Sequence, residues 1–377
     1  MKKKLLIFTD WYLPGTKAGG PIKSVSNLVA LLCSVYDIYI VTSNRDLNET
    51  IPYPNIESNV WIKYQEYQVF YANPSVYNYI IFKNHILSIK PDYLYLNSMF
   101  SIQYAIFPLL VRKFNEIQSK YVIAPRGMLR GSALAQKWKK KMFFIKMQSL
   151  IKLFKDVTFH ATDNQEFIDI QKHFSSNVLV KTIENIAILN EGFTKKVKER
   201  NNVTLVFTGR IHPIKGLDFL LSCLETIKGK VNLLIIGPIE NISYFDECIK
   251  IKESLPDNIN ISFTGHKSYD EIKTEYNKSH FFILPTQGEN FGHAIFEALG
   301  SGLPVLISDQ TPWRNLSQNH AGWDFSLSNK KGFIETIQNM VSMDNDEYQK
   351  WSNGAFNYLK RNYDLEKLKL EYKNLFN

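Results

Sequence analysis

Two cations five residues apart and two glutamates eight residues apart are the side chains of this sequence best placed to do chemistry. The cations sit in Phe207-Thr-Gly-Arg210-Ile-His-Pro-Ile-Lys215-Gly216, after a β-branched run and before an amphipathic one. Such a loop can clamp a diphosphate. Arginine offers a planar fork and lysine a point charge, while the following helix adds free N–H groups at its start. Two solvated loop cations would leave the same trace. The glutamates are Glu289 and Glu297, in the run from Pro285 to Pro304. With a helix starting near Gly292, the N–H groups at Gly292–Ala294 form an anion site. Glu297 then lies about 7–8 Å further along the axis. That separation suits one carboxylate near a sugar and another near a ribose, on opposite sides of a phosphate. Glu297 reads equally as a half-buried helix glutamate satisfied by a neighbour.

The elements that must position these residues alternate short aliphatic runs with longer amphipathic ones, the pattern of α/β domains on parallel sheets. In the first half the spacing predicts strands at Leu5–Phe8, Ile38–Thr42, Tyr93–Leu96, Tyr121–Ala124 and Val157–His160. Helices are expected near Ser24–Cys33, Val76–Ile89, Ile102–Asn115, Leu134–Phe154 and Gln165–His173. The second half predicts strands at Thr204–Phe207, Asn232–Ile236, Ile259–Phe263, Phe281–Leu284 and Val305–Ser308. Between them come helices at Leu217–Ile227, Tyr244–Glu253, Tyr269–Asn277 and Gly292–Gly300, so a doubly wound sheet is expected. Ligands bind such sheets at the carboxyl ends of the strands, where the candidate motifs fall. Asn190–Asn202 is polar, has no apolar period and reads as a linker; Asp346–Leu375 reads as two helices broken near Asn362–Asp364.

A length of 377 residues suggests two domains of roughly 150–200 residues, and 45% hydrophobic with 21% charged content excludes a disordered chain. The most apolar stretch, Ile102–Val111, contains Gln103 and Pro108 and is too short to span a bilayer. The opening MKKKLLIFTD imitates a signal peptide, but its short apolar run reads better as a first strand. Cys33, Cys223 and Cys248 are far apart and odd in number, which argues against a disulfide framework or a zinc site and fits a reducing cytoplasm. Residues 1–190 carry +10 of the net +9 and residues 191–377 carry −1, so the first half is expected to face something anionic. Lys137–Lys155 holds seven lysines and no acid, with Trp138, Met142, Ile145, Ser149 and Leu153 along one helical face. Through Lys137, Trp138, Lys139, Lys140 and Lys141 it could lie on anionic lipid. A core helix with a solvated lysine face fits as well. Nucleic acid is not expected, because no base-reading module accompanies the charge. Asp344-Asn-Asp346 spells a D-x-D, but between helices it reads as a helix cap, and no metal site is expected.

The series G-R-x-H-P-x-K-G, G-P, F-x-G and P-x-x-x-E-x-F-G-x-x-x-x-E-A-L-x-x-G-x-P-V, dense from Val203 to Ser308, resembles the retaining glycosyltransferase family 4, the glycosyl transferases group 1. The resemblance implies a GT-B fold: two Rossmann-like domains facing a cleft. Residues 1–189 would take the acceptor, with 190–202 as linker. Residues 203–345 would bind the nucleotide sugar, and 346–377 would be C-terminal helices packing back toward the first domain. It implies that Arg210 and Lys215 bind the donor diphosphate without a metal or other cofactor, that Glu289 faces the transferred sugar, and that Glu297 faces the ribose. Gly265 and His266 would lie by the nucleobase, and backbone N–H groups of Asn290, Phe291 and Gly292 would hold sugar hydroxyls or phosphate. Gly19 and Gly20 look like the family's glycine loop, and Arg126 would line the acceptor side. Where many members have a histidine after the strand at Tyr93–Leu96, this chain has Asn97-Ser98, which can position a hydroxyl but is no base. His160 and His293 lie nearby in the pattern, and a lone histidine is usually structural.

The expected activity is transfer of a sugar from a nucleoside diphosphate sugar to an acceptor hydroxyl. A lipid-linked saccharide of a surface polysaccharide pathway is the expected acceptor, met by a cytoplasmic enzyme peripheral to the inner membrane face. A synthase with a soluble acceptor, and a non-catalytic sugar-nucleotide sensor, are the rival readings.

Overall fold

The computed structural model describes residues 2–115, 117–135, 138–174, 178–189 and 192–376, divided between two compact units. The first unit comprises 1–187 with 365–377, the second 188–364.

In the first unit β1 (Lys3–Phe8) leads to α1 (Gly20–Leu32) and β2 (Tyr36–Ser43). β3 (Trp61–Lys63) and β4 (Tyr67–Ala72) follow, then α2 (Tyr79–Ile89), β5 (Tyr93–Leu96), α3 (Phe107–Phe114) and β6 (Lys120–Ile123). α4 (Gly131–Ala135), α5 (Trp138–Leu150), β7 (Thr158–Ala161), α6 (Asn164–Phe174) and β8 (Val180–Thr182) complete the run. The sheet order is β3-β4-β2-β1-β5-β6-β7-β8, with only β3 antiparallel to its neighbour. β1 reads as an uninterrupted apolar run because helices cover both faces of such a sheet, and Leu5–Phe8 are fully buried. The predicted helix Leu134–Phe154 ends early: α5 stops at Leu150, and the chain turns through 151–156.

In the second unit β9 (Asn202–Thr208) precedes α7 (Leu217–Leu224), and β10 (Lys230–Ile236) precedes α8 (Ile242–Glu253). β11 (Ile259–Phe263), α9 (Tyr269–Tyr276), β12 (Phe281–Leu284) and α10 (His293–Gly300) come next. β13 (Val305–Ser308), β14 (Gly322–Phe325), α11 (Lys330–Ser342) and α12 (Asn345–Asn362) end the unit. All six strands run parallel in the order β11-β10-β9-β12-β13-β14. The strand order therefore reverses between β9 and β12, and the crevice beyond their carboxyl ends is the expected ligand position.

Two stretches carry more structure than their polarity suggests. In 192–201, Lys196 and Lys198 are buried; Lys196 donates to Ser301 O (2.7 Å), and Lys198 to Val341 O (3.1 Å) and Met343 O (2.8 Å). Lys198 thus satisfies the carbonyl end of α11, where a cation is favoured. Beyond α12, α13 (Leu365–Phe376) belongs to the first unit, where Tyr372 donates to Glu184 O (3.0 Å) and stands edge-on to His160. Asp344 caps α12 by accepting from the Glu347 N–H (2.9 Å), so its D-x-D is a capping sequence. The three cysteines are free and buried.

His160 links this packing to pH. Its Nδ1 accepts from the Tyr95 hydroxyl (2.8 Å) and its Nε2 donates to Ile183 O (2.9 Å). Burial, with Arg126 nearby, pushes the imidazole down to about 3. As pH falls below the ordinary histidine value the unfolded chain takes up the proton and the folded one does not, so stability drops between about 6.5 and 3. Acidification from pH 7 to 5 should cost roughly 2 kcal/mol from this group. Urea unfolding at both pH values should show it, and His160→Gln should lose less on acidification; equal losses would refute the assignment.

Candidate active site

The carboxyl end of β9 turns at Gly209, and Pro213–Lys215 form a single 3-10 turn whose start is capped by His212 Nδ1 accepting from the Ile214 N–H (3.2 Å). Gly216 has φ +68°, and a Cβ there would lie 2.1 Å from Pro285 O. Only glycine lets this turn rest directly on the loop after β12. The two loops are then joined by backbone: the Gln287 N–H donates to Ile214 O (2.7 Å) and Thr286 Oγ1 to the same oxygen (3.0 Å). On the far side the Glu289 N–H donates to Gln310 O (2.9 Å), after β13.

This scaffold brings Lys215 and Glu289 into contact, Nζ to Oε1, at the point where the strand order reverses. Their side chains are only 16% and 14% exposed. An ion pair this shielded is worth more than one in bulk water, and removing one member leaves the other charge poorly solvated. Arg210, on the same loop, is held by Glu240 of the β10–α8 loop, its Nη1 lying 2.7 and 2.6 Å from the two carboxylate oxygens. Both predicted cations thus carry carboxylate partners. Glu240 was missed because in Gly237-Pro-Ile-Glu240 it resembles an ordinary residue before a helix N-cap.

α10 starts at His293, with Gly292 as its N-cap at φ +78°, one residue later than predicted. Glu297 is therefore about 6 Å along the axis from the first helical residue. The Tyr269 and Tyr276 phenols share its surroundings: burial raises their pKa values first and the Glu297 charge raises them further. Glu297, Tyr269, Tyr276, Ile272 and Phe296 line a small, shallow recess. Phe291 is 6% exposed and packs on Trp313, whose Nε1 donates to Phe291 O (2.6 Å), so its side chain is core and only its backbone can serve a ligand. Asn290 is half-buried on the same loop. Gly265, at φ +70°, and His266 are exposed after β11, at the opposite end of the sheet from β14.

The predicted residues of the first unit fall at its own reversal point, between β1 and β5. Gly19 (φ 62°) caps α1, which opens at Gly20 and Pro21. Asn97 is 3% exposed and accepts from Arg126 Nε (2.8 Å). Arg126 also donates to the Tyr95 hydroxyl (2.7 Å) and to Asn185 Oδ1. Both residues are thus engaged in a polar network that fixes the loop. Buried Glu166 completes it by accepting from the Gly127 N–H (2.6 Å) and the Thr162 N–H (2.7 Å).

Of the predicted stripe, Ile145 and Leu153 are buried, Met142 is half-buried and Trp138 is exposed. What α5 exposes is Lys139, Lys140, Phe143, Lys146 and Met147, with Phe143 67% and Trp138 52% exposed. Lys141 is half-buried and donates to Ala133 O (2.6 Å), away from that face. Lys137 lies outside the described residues. No helix among the described residues is long and apolar enough to cross a membrane.

The model of the family described as glycosyl transferases group 1 matches residues 190–358, which hold every cation and glutamate of the second-unit site. Over this stretch the chain is similar to the group 1 glycosyl transferases. An uncharacterized glycosyltransferase of Methanocaldococcus jannaschii is 23% identical to this transferase, over 100% of this chain and 98% of that one. Among solved structures, the transferase is similar to a sucrose-phosphate synthase from Thermosynechococcus elongatus (TM-score 0.76, 16% identity, 100% and 98% covered). It is also similar to WaaG, a glycosyltransferase involved in lipopolysaccharide biosynthesis (TM-score 0.70, 12% identity, 99% of each chain). The two Rossmann-like sheets are those of the GT-B fold.

Proposed function

We propose that the transferase moves a sugar from a nucleoside diphosphate sugar to an acceptor hydroxyl with retention of anomeric configuration. The observation that carries this reading is the Lys215–Glu289 contact where the second sheet reverses. It sets a cation for a leaving diphosphate beside a carboxylate for the sugar that becomes electron-poor. The C1–O bond to the diphosphate breaks and the acceptor oxygen bonds C1 on the same face. The acceptor proton passes to the departing diphosphate oxygen, whose charge Arg210 and Lys215 offset. Glu297 in its recess takes the ribose hydroxyls. Nucleotide release from a panel of UDP-, GDP- and ADP-sugars tests the reading: one base should dominate, and release from none would refute it.

The acceptor we infer is a lipid-linked saccharide of a surface polysaccharide pathway. It is taken by the first unit, with α5 resting on anionic lipid at the inner membrane face. Support comes from the exposed lysines interleaved with Phe143 and Met147. Sedimentation with phosphatidylglycerol vesicles should carry the protein down and Lys139→Glu/Lys140→Glu should release it. No binding would favour a soluble acceptor.

Two protein cations stand where a metal would otherwise neutralise the leaving group. Activity should therefore survive EDTA; complete loss, restored by magnesium, would contradict the proposal.

A further inference from the structure

Arg210 and Glu240 are held side by side by backbone, not by chance of rotamer. Ile211 and Ile239 form an isolated parallel bridge. The Ile211 N–H donates to Pro238 O (2.9 Å), and the Glu240 and Asn241 N–H groups both donate to Ile211 O (3.2 Å). Gly237 makes the approach possible, since a Cβ there would lie 2.0 Å from Gly209 O. The loops after β9 and β10 are thus sewn together, and the guanidinium meets a carboxylate at that seam.

The two ion pairs of the site differ in solvation. Lys215 and Glu289 are 16% and 14% exposed, Arg210 and Glu240 39% and 27%. A pair as open as the second contributes little and separates at small cost. Carboxylate and phosphate are alternative oxyanion partners for one set of N–H donors, and a diphosphate with its higher charge is the stronger of the two.

We propose that Glu240 is a built-in competitor for the donor's diphosphate. It holds Arg210 in the donor-free protein and yields it as the diphosphate arrives. It takes Arg210 back as the nucleoside diphosphate leaves, so it sets product affinity and hastens release. The proposal rests on Arg210 being a diphosphate ligand, as argued above.

Glu240→Gln keeps the shape and one acceptor oxygen while removing the charge. Calorimetric titration of the nucleoside diphosphate selected by the donor panel should show about three- to tenfold tighter binding to this variant. The gap should narrow as salt rises, because the effect is electrostatic. In the Arg210→Ala background the same substitution should change affinity little. Weaker or unchanged binding to Glu240→Gln, with Arg210→Ala still harmful, would overturn the proposal and make Glu240 a positioning residue for Arg210. A gain that persists fully without Arg210 would overturn it too, since Glu240 would then act by plain repulsion of the diphosphate. If Arg210→Ala alone binds as well as the parent, it is the diphosphate role of Arg210 that fails.

Discussion

Lys215→Ala is expected to lower turnover by roughly ten- to a hundredfold or more. Losing a charge-assisted contact to phosphate costs about 1.5–3 kcal/mol, which converts to that range in rate. The structure adds a second consequence. Lys215 neutralises Glu289, so its removal leaves a carboxylate 14% exposed without that partner, and some stability is lost as well. The two effects separate in the double variant with Glu289→Gln, which removes the stranded charge but not the lost phosphate contact. Its Tm should recover while its affinity for the nucleoside diphosphate should not. A purified Lys215→Ala protein as active as the parent would refute the assignment of this loop.

The second large effect separates the two glutamates, which should fail in different ways. A carboxylate beside the transferred sugar gains importance as positive charge develops in the transition state, so Glu289→Gln should lower kcat sharply. The amide oxygen can still accept from Lys215 and a competing charge is gone, so the nucleotide should bind no more weakly than in the parent. Glu297 binds ground state and transition state alike, and Glu297→Gln should chiefly raise KM with a smaller fall in kcat. An independent readout exists for Glu297. Its charge raises the Tyr269 phenol, which burial raises first, so Tyr269 should titrate lower in Glu297→Gln whatever its kinetics. Reversed phenotypes, with Glu289→Gln abolishing nucleotide binding and Glu297→Gln silent, would show that the donor lies the other way round.

Legibility in the sequence followed local physics. β12 and β13 are buried, mostly apolar runs and β11 alternates Ile259, Ile261 and Phe263 with Asn260 and Ser262, so their limits could be read directly. β3, β4, β8 and β14 could not: three of them lie at sheet edges, and all are short or mixed in polarity. The second-unit site was legible because its residues sit in one contiguous motif per loop. Glu240 was not, because its meaning depends on a bridge between Ile211 and Ile239 that no local pattern encodes. The network of Arg126, Asn97, Tyr95, His160 and Glu166 escaped for the same reason, being assembled from the ends of β5, β6 and β7 and the first turn of α6. The face that α5 exposes could not be chosen from the sequence, because its apolar residues surround the helix and a stripe could be drawn on either side.

The central claim is that a nucleoside diphosphate is held where the second sheet reverses, between the loops after β9 and β12. Calorimetric titration of UDP, GDP and ADP into the wild-type protein and Lys215→Ala tests it most directly. One nucleotide should bind the wild type with one-to-one stoichiometry, and its affinity should fall by about tenfold or more in the variant. Binding of equal strength to both proteins, or of none of the three to the wild type, would contradict the account.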